Sequence, residues 1–404
     1  MTDDRSKALV PQGPTSLSPL GRLAERTLAE RVEREERTLV AVRTLVIGPG
    51  GYATISAAVA AARDGDTVLV QPGRYEESVV VEGKTITIRG DGERDDIVVG
   101  WDRGPAFTLV ETHSTLSGLT IVGGDPDPPE PELGAGLLVT VGAPQLDGLR
   151  VTQGRGIVFQ GGAAGAIEHS QIDGNDCGIF VHDGASPRIE ENEIWGNAKG
   201  GIEICGAGTD PLVRANRIQE SGIFVYYGAA PRIEGNEIWA SALIGIAISD
   251  AGSDPLVRAN RVHDGKGCGI AVGDGASPRI EENEIWANAE EGISIVGAGT
   301  DPLVRANRVH DGQKSGISVG HGASPRIEEN EVWANAGRGI EITGAGTSPA
   351  IIGNTVRDGL GDGISVWDGA SPTIEGNTIT GNAGVSIFVL KDAHPTIGRN
   401  VASD

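Results

Sequence analysis

Aromatic side chains make up only 4% of this 404-residue chain, and it holds a single methionine and three cysteines. Cys177, Cys205 and Cys268 show no paired spacing, so neither a disulfide framework nor a metal site is read from them. No apolar run approaches the ~18 residues of a membrane span. Bases are outnumbered: 33 Lys+Arg against 56 Asp+Glu leave a formal charge of −23. That balance argues against binding nucleic acid by neutralising phosphates. The opening MTDDRSKALVPQG has no apolar stretch and no small-residue cleavage pattern, so no secretion signal is read and a cytoplasmic location is expected. Glycine, in contrast, is abundant at 62 residues, without a three-residue collagen period. A hydrophobic share of 38% is too high for a disordered chain.

What the chain has in quantity is repetition. Asn192, Asn216, Asn236, Asn260, Asn283, Asn307, Asn330, Asn354, Asn377 and Asn400 follow one another at steps of 24, 20, 24, 23, 24, 23, 24, 23 and 23. Prolines from Pro187 to Pro395, and Gly-Ile pairs from Gly156-Ile157 to Gly363-Ile364, keep the same beat. Each unit reads as three short strands, such as GIFV, PRIEEN and EIW, with apolar and polar residues alternating and Gly, Asn, Asp or Pro at the corners. About 23 residues with three strands and no helix make one turn of a parallel β-helix. The predicted fold is therefore all-β, a single-stranded right-handed parallel β-helix with N-terminal helical segments; the hand follows the crossover preference of parallel strands. Asparagine at a fixed corner would stack from coil to coil at about 4.8 Å.

A two-coil unit of 47 residues, GASPRIEENEIWANA followed by GAGTDPLVRANRVHDG, lies over the first period. It predicts outward columns of alternating sign: Glu190, Arg214, Glu234, Arg258, Glu281, Arg305, Glu328, and beside it Glu193, Arg217, Glu237, Arg261, Glu284, Arg308, Glu331. Unlike charges on adjacent strands avoid repulsion, and the columns read as solvated structure. Residues 1–42 read as a polar leader and a charged helix over Ser18–Val42, and residues 43–404 as the solenoid. The apolar stretch 54–62 is suited to a helix capping the first coil, whose strand edges would otherwise invite pairing. The last coil, with Phe388 and Leu390, offers no such cap, so a homodimer or a partner at that end is expected.

The stretches YATISAAVAAA, GDTVLVQPGRYEES and KTITIRGDG, within residues 52–92, resemble the start of pectin methylesterases and other pectin-lyase-like β-helices. The later P-x-I-x-x-N-x-I and G-I-x-V rhythm is similar to the NosD/CASH group of carbohydrate-binding and sugar-hydrolase β-helices. The resemblance covers about residues 44–400 and implies the fold; the superfamily holds lyases, hydrolases, esterases, epimerases and non-enzymes. The methylesterase Asp pair and the epimerase DPH motif are absent, and Gly320-His321-Gly322 is a bare echo of polygalacturonases.

Two constellations stand out. Polar and aromatic residues gather between positions 178 and 250: Phe180, His182, Asp183, Glu203, Phe224, Tyr226, Tyr227 and Asp250, beside the one 20-residue step. Rings stack on sugar faces, while His182, Asp183, Glu203 and Asp250 are the candidate catalytic groups. The second is a column of Trp195, Gln219, Trp239, His263, Trp286, His310, Trp333 and Arg357, read as an elongated aromatic strip or as stacking that shields the strands. His263 and His310 lie too far apart to share a metal. The loop with Asp125, Asp127, Glu130 and Glu132 reads as a solvated insertion, a lid or a calcium-attracting segment; otherwise no cofactor or metal is expected. The main expectation is a non-catalytic module or scaffold recognising a glycan or protein along its long face, with no membrane contact. The alternative is a polysaccharide-active enzyme (lyase, hydrolase, esterase or epimerase) using the acids of the first constellation. A more distant alternative is an acidic DNA mimic, against which the interleaved Arg columns count.

Overall fold

The computed structural model describes residues 42–124 and 134–403. The expected Ser18–Val42 helix, apart from its last residue, and the acidic segment holding Asp125, Asp127, Glu130 and Glu132 lie outside them. From Thr44 onward the chain winds into a parallel β-solenoid, and three sheets of 16, 14 and 15 strands run its length. The first sheet starts at Thr44–Ile47, the second at Val79–Glu82 and the third at Gly73–Glu76. A representative coil runs Arg188–Glu190 in the first sheet, Glu193–Trp195 in the third and Gly200–Cys205 in the second. Every strand pairs in parallel with its counterpart one coil on, for example Arg188↔Leu212 and Ile202↔Ile223.

Alternation decides what faces inward. Ile189, Val213, Ile233, Val257, Ile280, Val304 and Ile327 form one inner column of the first sheet, all without exposed surface. Burial of such a side chain stabilises the fold by about 1.5–3 kcal/mol. The corner asparagines form the expected ladder. From Asn192 to Asn400 each Nδ2 donates to the Oδ1 of the next asparagine at 2.9–3.0 Å. The same oxygen accepts the preceding asparagine's backbone N–H, as Asn307 does for Asn283 at 3.0 Å. The glycine of each Gly-Ile pair is needed for close approach: a Cβ on Gly292 would fall 2.3 Å from Val309 Cγ1.

At the first coil the helix Ile55–Ala61 buries Ile55, Ala58 and Val59. Thr54 caps it by accepting the Ala57 N–H, and Glu77 accepts the N–H groups of Ile55 and Ser56 at 2.8 and 2.9 Å. The uncapped helix donors thus find a carboxylate, which the N-terminal end of a helix favours. Among the described residues no helix is long and apolar enough to cross a membrane.

Candidate functional site

Strand register places the predicted columns side by side. In the third sheet Trp195 faces Gln219, then Trp239, His263, Trp286, His310, Trp333 and Arg357 follow one per coil. All four indoles are half-buried. The downstream part is a continuous stack: His263 lies 4.0 Å from Trp286, Trp286 6.0 Å from His310, and His310 4.1 Å from Trp333, with ring planes within 11° of parallel. Asp264 and Asp311 hold the two imidazoles by Nδ1 at 2.7 Å. Arg261 and Arg308 place guanidinium groups 5.1 and 5.3 Å from the Trp286 and Trp333 rings, a cation–π arrangement.

The upstream part is open. No ring stacks on Trp195 or Trp239 among the described residues, and Arg217 alone approaches Trp239, at 5.3 Å. Between them lies a cleft of about 370 Å³ lined by Gln171, Glu193, Trp195, Arg217, Gln219 and Trp239.

The second sheet carries the other constellation, in two outward columns. One runs Phe180, Glu203, Phe224, Ala247; the other includes Cys205 and Tyr226. Tyr226 donates its hydroxyl to Glu203 Oε2 at 3.1 Å. Burial, with the Glu203 charge second, pushes the Tyr226 phenol far above its ordinary range, so it keeps its proton. Glu203, Phe224, Tyr226, Ala247 and Ser249 line a second cleft, of about 280 Å³. Cys205 beside them is also raised, by burial first, and stays a thiol.

The remaining candidates take other positions. Phe180 is buried, 8% exposed, beneath the Arg155 guanidinium and stacked on His182 at 4.6 Å. Asp183 sits at a left-handed corner and meets His182 Nδ1 at 3.2 Å. Asp250, at an equivalent corner, accepts the Tyr227 backbone N–H at 3.1 Å, and the Tyr227 ring is exposed. Among the described residues no cluster of His, Cys, Asp and Glu has the arrangement of a metal site.

Both clefts flank the short coil. Six residues separate Trp195 from Ile202 and Trp239 from Ile246, but only Glu220, Ser221 and Gly222 separate Gln219 from Ile223. The 20-residue step is thus a cut corner between the third and second sheets. Sequence reasoning missed a second asparagine ladder at that same corner in other coils. There Asn288, Asn335 and Asn382 each accept a glycine N–H one coil back, at 3.0 Å. The recurring Asn-Ala pair was the available signal.

No curated protein matches the chain. Among solved structures, the mannuronan C-5 epimerase AlgE6 A-module of Azotobacter vinelandii is 16% identical, with 86% of this chain and 93% of that one covered at a TM-score of 0.44. The catalytic unit of the GH87 α-1,3-glucanase of Streptomyces thermodiastaticus strain HF3-3 is also 16% identical, covering 89% and 69% at 0.45. The Agl-KA catalytic domain is 14% identical, covering 88% and 68% at 0.48. Two of these are, by name, enzymes of polysaccharides; at such identities the likeness concerns the fold. Residues 155–309 and 299–402 match the family described as right handed β-helix region. The chain belongs to that family of right-handed parallel β-helices.

Proposed function

We propose that the protein acts on a polysaccharide, with Glu203 as the proton-accepting group of the second-sheet cleft. The observation that carries this reading is the Glu203–Tyr226 pair, at 3.1 Å in an open cleft beside the half-buried Phe224 ring. A carboxylate held by one hydroxyl retains free lone pairs, enough to take a proton from water or from a sugar carbon. Tyr226 stays protonated, so it orients the carboxylate as a donor and is not itself a base. Phe224 offers a flat apolar surface to a sugar face, and the long repeated surface suits a repeating polymer.

A second reading, binding without turnover, has its own support: the other candidate carboxylates are engaged, Asp183 with the His182 ring at 3.2 Å and Asp250 with the Tyr227 backbone N–H at 3.1 Å. Incubation with neutral and acidic polysaccharides, followed by product analysis, separates the two. Turnover that falls at least a hundredfold in Glu203→Gln, at an unchanged melting temperature, supports catalysis. Binding with no product from any substrate replaces it with the second reading.

A further inference from the structure

The downstream and upstream halves of the tryptophan column share one strand register and differ in content, and the corner after Gln219 is shorter than those after His263 and His310. At His263 and His310 an imidazole fills the position between successive indoles; at Gln219 an amide occupies it and a cleft opens. We propose that this cleft is a subsite holding one pyranose ring of a neutral polysaccharide between Trp195 and Trp239, and that His263 and His310 are plugs closing the equivalent positions. This rests on the reading of the protein as one that engages polysaccharides, and it places a contact on a different sheet from Glu203.

Spacing selects the guest. Two coil steps separate the indoles by about 9.6 Å, so a ring midway lies about 4.8 Å from each wall. Flat rings in this column rest at 4.0–4.1 Å, and His310 touches one wall closely while standing 6.0 Å from the other. A planar guest therefore leaves one wall bare. A puckered pyranose, with C–H groups projecting from both faces, meets both.

The rim supplies the polar half. The half-buried Gln219 side chain lines the cleft, and its amide carries both a donor and an acceptor for sugar hydroxyls. Gln171 is already oriented, receiving Arg94 at 2.6 Å and donating to Glu193 Oε2 at 3.3 Å. Glu193 and Arg217 on the rim offset one another, so no net local charge attracts an acidic polymer, while the chain charge of −23 opposes a polyuronate and leaves a neutral glycan unaffected.

The test uses the full chain and named probes: barley β-glucan, xylan and mannan as neutral polymers, alginate and polygalacturonate as acidic ones. Affinity is read by electrophoresis through probe-loaded gels and by tryptophan fluorescence. Gln219→His installs a ring that the equivalent strand position accepts at two other coils, so the melting temperature should hold while affinity for a neutral probe falls at least tenfold. His310→Gln should open a second slot between Trp286 and Trp333 and raise the number of sites from one to two. Unchanged binding in Gln219→His, or binding of acidic probes alone, overturns the subsite and leaves polysaccharide engagement standing. No binding to any probe, together with no turnover, overturns both.

Discussion

Single residues show how the solenoid disposes of polar groups it cannot leave bare. Asn283 accepts the backbone N–H and the Nδ2 of Asn260 and donates to Val257 O and Asn307 Oδ1, with 1% of its surface exposed. Asn283→Ala strands two buried donors at once, so unfolding by denaturant should show a loss of about 3 kcal/mol. An Ile280→Val change nearby removes one methylene and should cost about 1 kcal/mol. His169 behaves differently because it is exposed. Its Nδ1 lies 2.8 Å from Asp147 and its Nε2 3.3 Å from Glu191, and the hydrogen bond to Asp147 above all raises its pKa above the ordinary 6.5. A raised folded value means the clamp contributes below pH 6.5 and fades as pH rises through the folded pKa. A proton NMR titration should therefore place the His169 midpoint above 6.5 and lower it toward the ordinary value in Asp147→Asn, with Glu191 keeping part of the rise.

At the scale of strands and corners, the side-chain period of two and a nearly constant coil length fixed which residues share a column. Glu234 does face Arg258, and Arg261 bridges Glu237 at 2.9 Å, as the alternation of Glu and Arg implies. The ion-pair partners of the first column were less legible. Arg232 and Arg279 on the same strands already occupy Glu234 and Glu281 at 2.7 Å, and Arg258 turns to Glu282 on the next corner at 2.9 Å. Glu282 has a left-handed backbone, φ 56°, a conformation invisible in a period-two pattern. The 20-residue step was equally visible as a number, but only register shows that the missing residues come from the corner before Ile223. Ring stacking, and hence the gap at Gln219, depends on three coils at once and leaves no local pattern. Arg258→Glu would put three acids in sequence along the column beside Glu282. Its melting temperature should fall at low ionic strength and recover most of the loss at about 1 M salt, where the screening length is about 3 Å. An unchanged melting temperature at low salt would show that the column is energetically silent.

Across the whole molecule, each coil touches mainly its two neighbours, so stability accumulates as coil terms and interface terms. The two-coil pattern then makes a sharp distinction between kinds of deletion. Excising Arg261–Asn307 removes one complete 47-residue unit and joins Asn260 to Arg308. Arg258 then meets Glu328, Glu237 meets Arg308, Trp239 meets His310, and Asn260 meets Asn330, all pairings of a type the intact solenoid already contains. Excising Glu284–Asn307 instead removes one coil and joins Asn283 to Arg308. The inner column still reads Ile and Val, but Glu281 now abuts Glu328 and Arg261 abuts Arg308. Like charges on directly paired strands destabilise, and here they do so in two columns. The one-coil deletion should therefore melt below the two-coil deletion although it retains more buried surface, and added salt should narrow the gap. Were apolar burial alone to set the order, the shorter deletion would be the more stable at every salt concentration. Thermal unfolding of the two variants, followed by circular dichroism at low and high salt, decides between charge register and core length as the element that sets coil order.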